Sequence, residues 1–258
     1  MSGIVGTGRR IAALLGAVAL LAVAGCTGSG GGSAAPGAPT ATRSTSGAAP
    51  ANAVGTASPS TEFDAEVEAA FRLVAAYWDE KFTAAGHDFK PVGTIRPYTK
   101  DGELSCAGQP QPAMNAFYCP PDDSISYDVN WVRQSYQQLG DTFVYFLFAH
   151  EYAHAIQERV KANQLVSITI ELQADCLSGA FIGDSVRSGT LELEDGDIEE
   201  LTRGVRALGD PAQGGDKFAT WFAPGTHGTM DQRLDAFARG YRGSLDQCHL
   251  DSANGTQL

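Results

Sequence analysis

Basic residues are scarce in this chain. Eighteen Lys and Arg stand against thirty Asp and Glu, for a formal charge of −12, and nowhere do cations cluster with interleaved aromatics. That excludes a nucleic-acid surface of the usual basic kind. Between residues 28 and 60 almost everything that builds a core is missing. GSGGGSAAPGAPTATRSTSGAAPANAVGTASPS has one charge and no aromatic residue, so it cannot offset the entropy of folding and reads as a flexible tether. Apolar runs long enough to span a bilayer are also lacking. The longest, IAALLGAVALLAVAG, is short for a span. It follows Arg9 and Arg10 and ends in small residues before Cys26, the layout of a secretory signal.

Val23-Ala24-Gly25-Cys26 fits a lipobox, in which the cysteine becomes the lipidated N-terminus of the mature chain. The competing readings are a plain signal peptide with a stray cysteine and an uncleaved anchor. The division expected is a lipoprotein signal over 1–25, a lipidated Cys26 and tether over 26–60, a folded domain over 61–250 and a tail over 251–258. The protein is then expected on the extracytoplasmic face of the cell membrane, held by its lipid anchor. Four cysteines remain: Cys106, Cys119, Cys176 and Cys248. An even number in an exported chain suggests two disulfides. Cys106 with Cys119 would close a short loop and leave Cys176 with Cys248. Three pairings are formally open, and a zinc-ligand role for Cys176 competes with them.

Helical periodicity is present over 61–86, with Thr61 as a cap and Val67, Phe71, Val74 and Trp78 on one face. PVGTIRPY and SISYDV, in a stretch rich in Pro and Gly, read as strands. Helices are expected over 141–162, 168–186, 195–208 and 230–243. The acidic run LELEDGDIEE (191–200) reads as a solvated loop and helix start. A calcium site there lacks regular ligand spacing.

The 141–162 helix contains His150-Glu151-Tyr152-Ala153-His154, an HExxH. Histidines four apart on a helix share a face, so both rings can reach one zinc ion, and Glu151 can act on water there as a base. The ordinary alternative is an amphipathic helix whose histidines bond backbone carbonyls. A hydrolytic zinc needs a third protein ligand and an open position. ELQAD (171–175) offers Glu171 as that ligand, and Asp175, on the same face, as acceptor of a histidine's free N–H. Two acids among ITI, Ala174, Leu177 and AFI need a buried partner. In THGTMDQRL (226–234), His227 is a candidate donor to an oxyanion, though a histidine there is ordinary on its own. Arg233 reads as structural, paired with a buried acid.

Five segments in this order, AFYCPPDDSISYDV (116–129), AHEYAHAIQ (149–157), ELQADCLSGAF (171–181), DGDIEE…ALGDP (195–211) and HGTMDQR (227–233), resemble the bacterial neutral zinc metallopeptidase family over roughly residues 90–249. The resemblance implies an α+β, zincin-like domain, mainly helical, with a small sheet whose edge strand borders the active-site cleft. It implies zinc on His150, His154 and Glu171, with Glu151 as general base; His227-Gly228 matches a further family motif. Ala153 stands where the family usually has glycine, and Tyr152 where a smaller apolar residue is common. SISYDV, with Ile125, Tyr127 and Val129 alternating, is the candidate edge strand. The expected activity is a membrane-anchored zinc peptidase acting on a peptide or protein. The alternatives are a non-catalytic surface lipoprotein that binds a partner, and a zinc amidase acting on cell-wall material.

Overall fold

A computed structural model describes residues 61–162, 167–209 and 227–250. The signal, Cys26, the tether and the tail expected from the sequence lie outside the described residues. Among the described residues, no helix is long and apolar enough to cross a membrane.

Helix α1 spans Glu62–Ala84. Thr61 caps it, its side-chain oxygen accepting from the Asp64 N–H at 3.2 Å, and Glu62 and Asp64 sit in the first turn with Lys81 in the last, each at the favourable end of the helix dipole. Its buried face carries Phe63, Val67, Phe71, Val74 and Trp78.

Three strands form one sheet: β1 (Thr94–Tyr98), β4 (Ala116–Cys119) and β5 (Ser124–Asp128), in the order β1-β5-β4. β5 runs parallel to β1 and antiparallel to β4. All five residues of β5 are buried. This corrects the sequence reading of SISYDV as the edge: β5 is the central strand, and β4 is an edge. A two-stranded hairpin, β2 (Ser105–Cys106) with β3 (Gln109–Pro110), stands beside it. The turn between them places Ala107 and Gly108 at φ 49° and 78°, the left-handed pair that closes tight hairpins. A disulfide joins Cys106 to Cys119.

Val129 begins helix α2 (Val129–Leu139) and does not extend the strand. Asp128 ends β5 and caps α2, its Oδ1 accepting from the Asn130 N–H at 2.9 Å. Helix α3 (Thr142–Arg159) follows, with fifteen of its eighteen residues buried. A helix covered on every side belongs to the centre of a domain. Phe71 of α1 lies against Phe148 of α3 with ring centroids 4.3 Å apart.

Helices α4 (Ser167–Ser188), α5 (Asp197–Ala207) and α6 (Met230–Gly243) complete the fold. The chain is thus α+β, mostly helical with a small mixed sheet. α4 and α6 meet backbone to backbone. A Cβ built on Gly240 would lie 1.8 Å from the Cys176 carbonyl oxygen, and one on Gly179 would lie 2.2 Å from that of Phe237. The Cys176–Cys248 disulfide ties α4 to the chain beyond α6. Gly240→Ala should therefore push the two helices apart, at a cost of about 3 kcal/mol or more, read as a lower urea midpoint. An unchanged midpoint would mean that the helices separate freely.

Candidate metal centre

Helix α3 carries His150, Glu151 and His154. His150 and His154, four residues apart, meet edge to face with ring centroids 4.8 Å apart. Helix α4 crosses beside them and brings Glu171 and Asp175, also four apart. The His150 Nε2 lies 3.2 Å from Glu171 Oε2, the His154 Nε2 lies 3.6 Å from Glu171 Oε1, and the two Nε2 atoms are 3.2 Å apart. One donor atom from each of the three side chains lies within 4.8 Å of the others.

Asp175 is fully buried and takes up the other side of His150, with Nδ1 2.9 Å from Asp175 Oδ1. An ionised carboxylate only accepts, so His150 carries its proton on Nδ1 and presents Nε2 to Glu171 and His154. Arg233 of α6 closes the set from behind. Its Nε donates to Asp175 Oδ2 at 2.8 Å, its Nη2 to Oδ1 at 2.7 Å and its Nη1 to the Leu208 carbonyl at 2.6 Å. The buried acid expected for Arg233 is Asp175.

The charges sort themselves accordingly. Burial pulls the His150 pKa down, but its hydrogen bonds to Asp175 and Glu171 outweigh that and raise it to about 10. Burial lowers that of His154, with His150 adding to the effect. Burial would raise Glu171, yet the His150 hydrogen bond and both histidines hold it well below the carboxylate range. Asp175 is likewise held down against burial, by Arg233 first and then His150, while Asp175 holds Arg233 up against its own burial. The point between His150, His154 and Glu171 thus gathers positive charge. A proton on His150 can supply it, and so can a metal ion. Two imidazole nitrogens and one carboxylate, braced by an aspartate behind, are a donor set that suits zinc.

Glu151 stands outside this trio. It is 6 % exposed, and its Oε2 accepts from the Tyr118 N–H of β4 at 3.0 Å. Burial, with the Glu171 charge adding to it, pushes its pKa up to about 7, while His150 and the Tyr118 N–H pull it back. Glu151 and His227 both line a cavity of about 490 Å³ whose apolar wall includes Phe117, Trp131, Leu147 and Leu208. His227 lies on the cavity, outside the trio, and its charge is among those that lower Glu171. Both disulfides, Cys106–Cys119 and Cys176–Cys248, are formed, so Cys176 is not a free thiolate.

Sequence reasoning missed three features of the site. The Tyr118 N–H on Glu151 is a backbone group and leaves no mark in the residue types. Gln157 meets His154 Nδ1 through its Oε1 at 2.9 Å, and its position one turn after His154 was the available signal. Gln173 sits behind Gln157, at 3.0 Å. The second acidic group, Asp141 with Asp197 and Glu200, includes the end of the run 191–200. Burial and the two aspartates raise Glu200.

A mainly helical α+β protein with a partly buried His–His–Glu cluster that could hold a metal ion is the class these features define. The chain belongs to the family described as putative neutral zinc metallopeptidase, whose model matches residues 2–250. It is similar to an uncharacterized protein, YpfJ, of Escherichia coli, at 30 % identity over 201 residues that cover 67 % of this chain and 66 % of that protein. It is also similar to an uncharacterized protein, Rv2575, of Mycobacterium tuberculosis, at 29 % over 198 residues, 64 % of this chain and 66 % of that one. The chain therefore spans just under two thirds of the length of these relatives. No solved structure matches it.

Proposed function

We propose that this protein is a zinc-dependent peptidase, anchored by a lipid on Cys26 to the outer face of the cell membrane and reaching its substrate on the tether. The observation that carries the reading is the convergence of His150, His154 and Glu171 in one cavity with Glu151, an acid outside the cluster whose pKa is near neutral. His150, His154 and Glu171 would hold the ion. Zinc bound there supplies Lewis acidity toward water and a carbonyl. Glu151 takes a proton from the attacking water and gives it to the leaving amine; a pKa near the working pH suits both transfers. His227 donates to the oxygen on which negative charge develops. Asp175 and Arg233 keep His150 oriented.

Substrate enters alongside β4. In a zincin-like arrangement an extended peptide adds to the sheet edge as a further strand. β4 is an edge of the sheet, and Ala116, Phe117 and Tyr118 line the cavity. The apolar wall favours peptides with bulky hydrophobic side chains.

The test is zinc content and cleavage of a mixed peptide library, measured on the same purified wild-type protein and on Glu171→Ala. One zinc per chain in the wild type, most of it lost with the cleavage in Glu171→Ala, is the expected result. A wild type that folds without zinc and cleaves nothing would sink the reading in favour of a partner-binding lipoprotein. Zinc with cleavage of cell-wall amides and of no peptide would move the activity to an amidase.

A further inference from the structure

Two buried glutamines have no part in the reading above. Gln157 is 1 % exposed and follows His154 by one turn of α3; Gln173 is 7 % exposed and lies on α4 between Glu171 and Asp175. A glutamine amide donates at one end and accepts at the other, so a chain of them has a direction. Here the direction is set at the far end. The backbone carbonyls of Cys248 and His249 can only accept, and Gln173 Nε2 donates to them at 3.3 and 2.8 Å. Its Oε1 is then left to accept from Gln157 Nε2, at 3.0 Å. Gln157 Nε2 also donates to the Ile170 carbonyl at 2.9 Å, which fixes the same orientation a second time. Gln157 Oε1 consequently faces His154 Nδ1 at 2.9 Å, and only a protonated Nδ1 satisfies it. A neutral imidazole has one proton to place, so Nε2 keeps its lone pair. That lone pair lies at the trio, 3.2 Å from His150 Nε2.

We propose that Gln157 and Gln173 are positioning residues, a directional hydrogen-bond relay through which the C-terminal backbone sets the tautomer of His154. The inference rests on the metal reading for its purpose, though not for its geometry. The two histidines are then oriented by different means. A carboxylate braced by an arginine holds His150, while two neutral amides hold His154. This arrangement keeps a further buried negative charge away from the trio, which an aspartate in place of Gln157 would add. The Cys176–Cys248 disulfide starts one turn beyond Gln173 on α4, so the carbonyls that end the relay are tied to the helix that carries it.

The tautomer can be read in zinc-free protein by long-range proton–nitrogen correlation spectra of labelled histidines, above the pH at which His154 titrates. Wild type should show His154 protonated on Nδ1. Gln157→Met should move the proton largely to Nε2 and weaken zinc binding by about 10- to 100-fold, the usual effect of losing a partner behind a ligand. Gln157→Glu, whose carboxylate still accepts from Nδ1, should keep the tautomer and bind zinc within several-fold of wild type. Gln173→Met should show a mixed population at His154. Nε2-protonated His154 in the wild type, or a Gln157→Met protein with unchanged tautomer and zinc affinity, would overturn the relay. If Gln157→Met does not fold, Gln157→Glu decides alone: a proton kept on Nδ1 supports the relay and one moved to Nε2 overturns it. Because the spectra need no metal, a wild type with the expected tautomer and no zinc binding sinks the metal reading and upholds the relay.

Discussion

Glu151→Gln is expected to leave zinc content unchanged and to lower peptide hydrolysis by about 100- to 10,000-fold in kcat, the range that a positioned acid–base group contributes. The substitution is nearly isosteric, and the amide oxygen still accepts from the Tyr118 N–H that holds Glu151 against β4. What it removes is the exchangeable proton of a carboxyl that burial has raised to about 7. Glu151 lies outside the His150–His154–Glu171 trio, so binding of the ion should not depend on it. Metal analysis and steady-state kinetics on one preparation separate the two quantities. Cleavage at the wild-type rate would remove Glu151 from the chemistry. Loss of zinc along with activity would place it among the ligands.

Arg233→Met should destabilise the fold by about 3–5 kcal/mol, the cost of leaving one member of a buried ion pair uncompensated. Asp175 is fully buried. Its charge is met by both ends of the Arg233 fork and by His150 Nδ1. Methionine fills much of the arginine's volume but offers nothing to a carboxylate. Urea unfolding gives the loss directly. Combining Arg233→Met with Asp175→Asn should restore part of it, because the stranded charge is then gone. A loss below about 1 kcal/mol would mean that His150 alone suffices for Asp175, since that is the scale of an ordinary hydrogen bond.

Much of the helical fold was legible because its signals are local. Thr61 caps α1 where expected, and the limits of α6 agree with the amphipathic run 230–243. α2 was missed because Val129 continues the alternation of Ile125 and Tyr127, so the strand seemed to run on. The contrary sign was Asp128, a capping residue that ends one element and starts the next. The edge placement of SISYDV came from the family resemblance, and the alternation of Ile125 and Tyr127 fits a central strand as well as an edge; Ser124 and Ser126 are buried in a strand flanked on either side. Strand order depends on pairings distant in sequence, which alternation cannot report. At the site, spacing four apart was enough to put His150 with His154 and Glu171 with Asp175 on common faces. Nothing local could join Asp175 to Arg233, 58 residues away. The place of Gln157 one turn after His154 was the one local hint of the glutamine pair; the direction of their amides depends on the distant carbonyls of Cys248 and His249.

The Cys106–Cys119 bond has a consequence for β4 that concerns register. A four-residue edge strand is held by few ladder bonds, and slipping it by one residue is the cheapest error open to it. Because side chains alternate, such a slip would turn each of Ala116, Phe117 and Tyr118 to the face opposite the one it now occupies, and the cavity would be walled by a different set of atoms. Cys119 ends the strand and is bonded to Cys106, beside the turn of the neighbouring hairpin. The cross-link therefore works as a stop. It lets the strand flex and forbids it to slide.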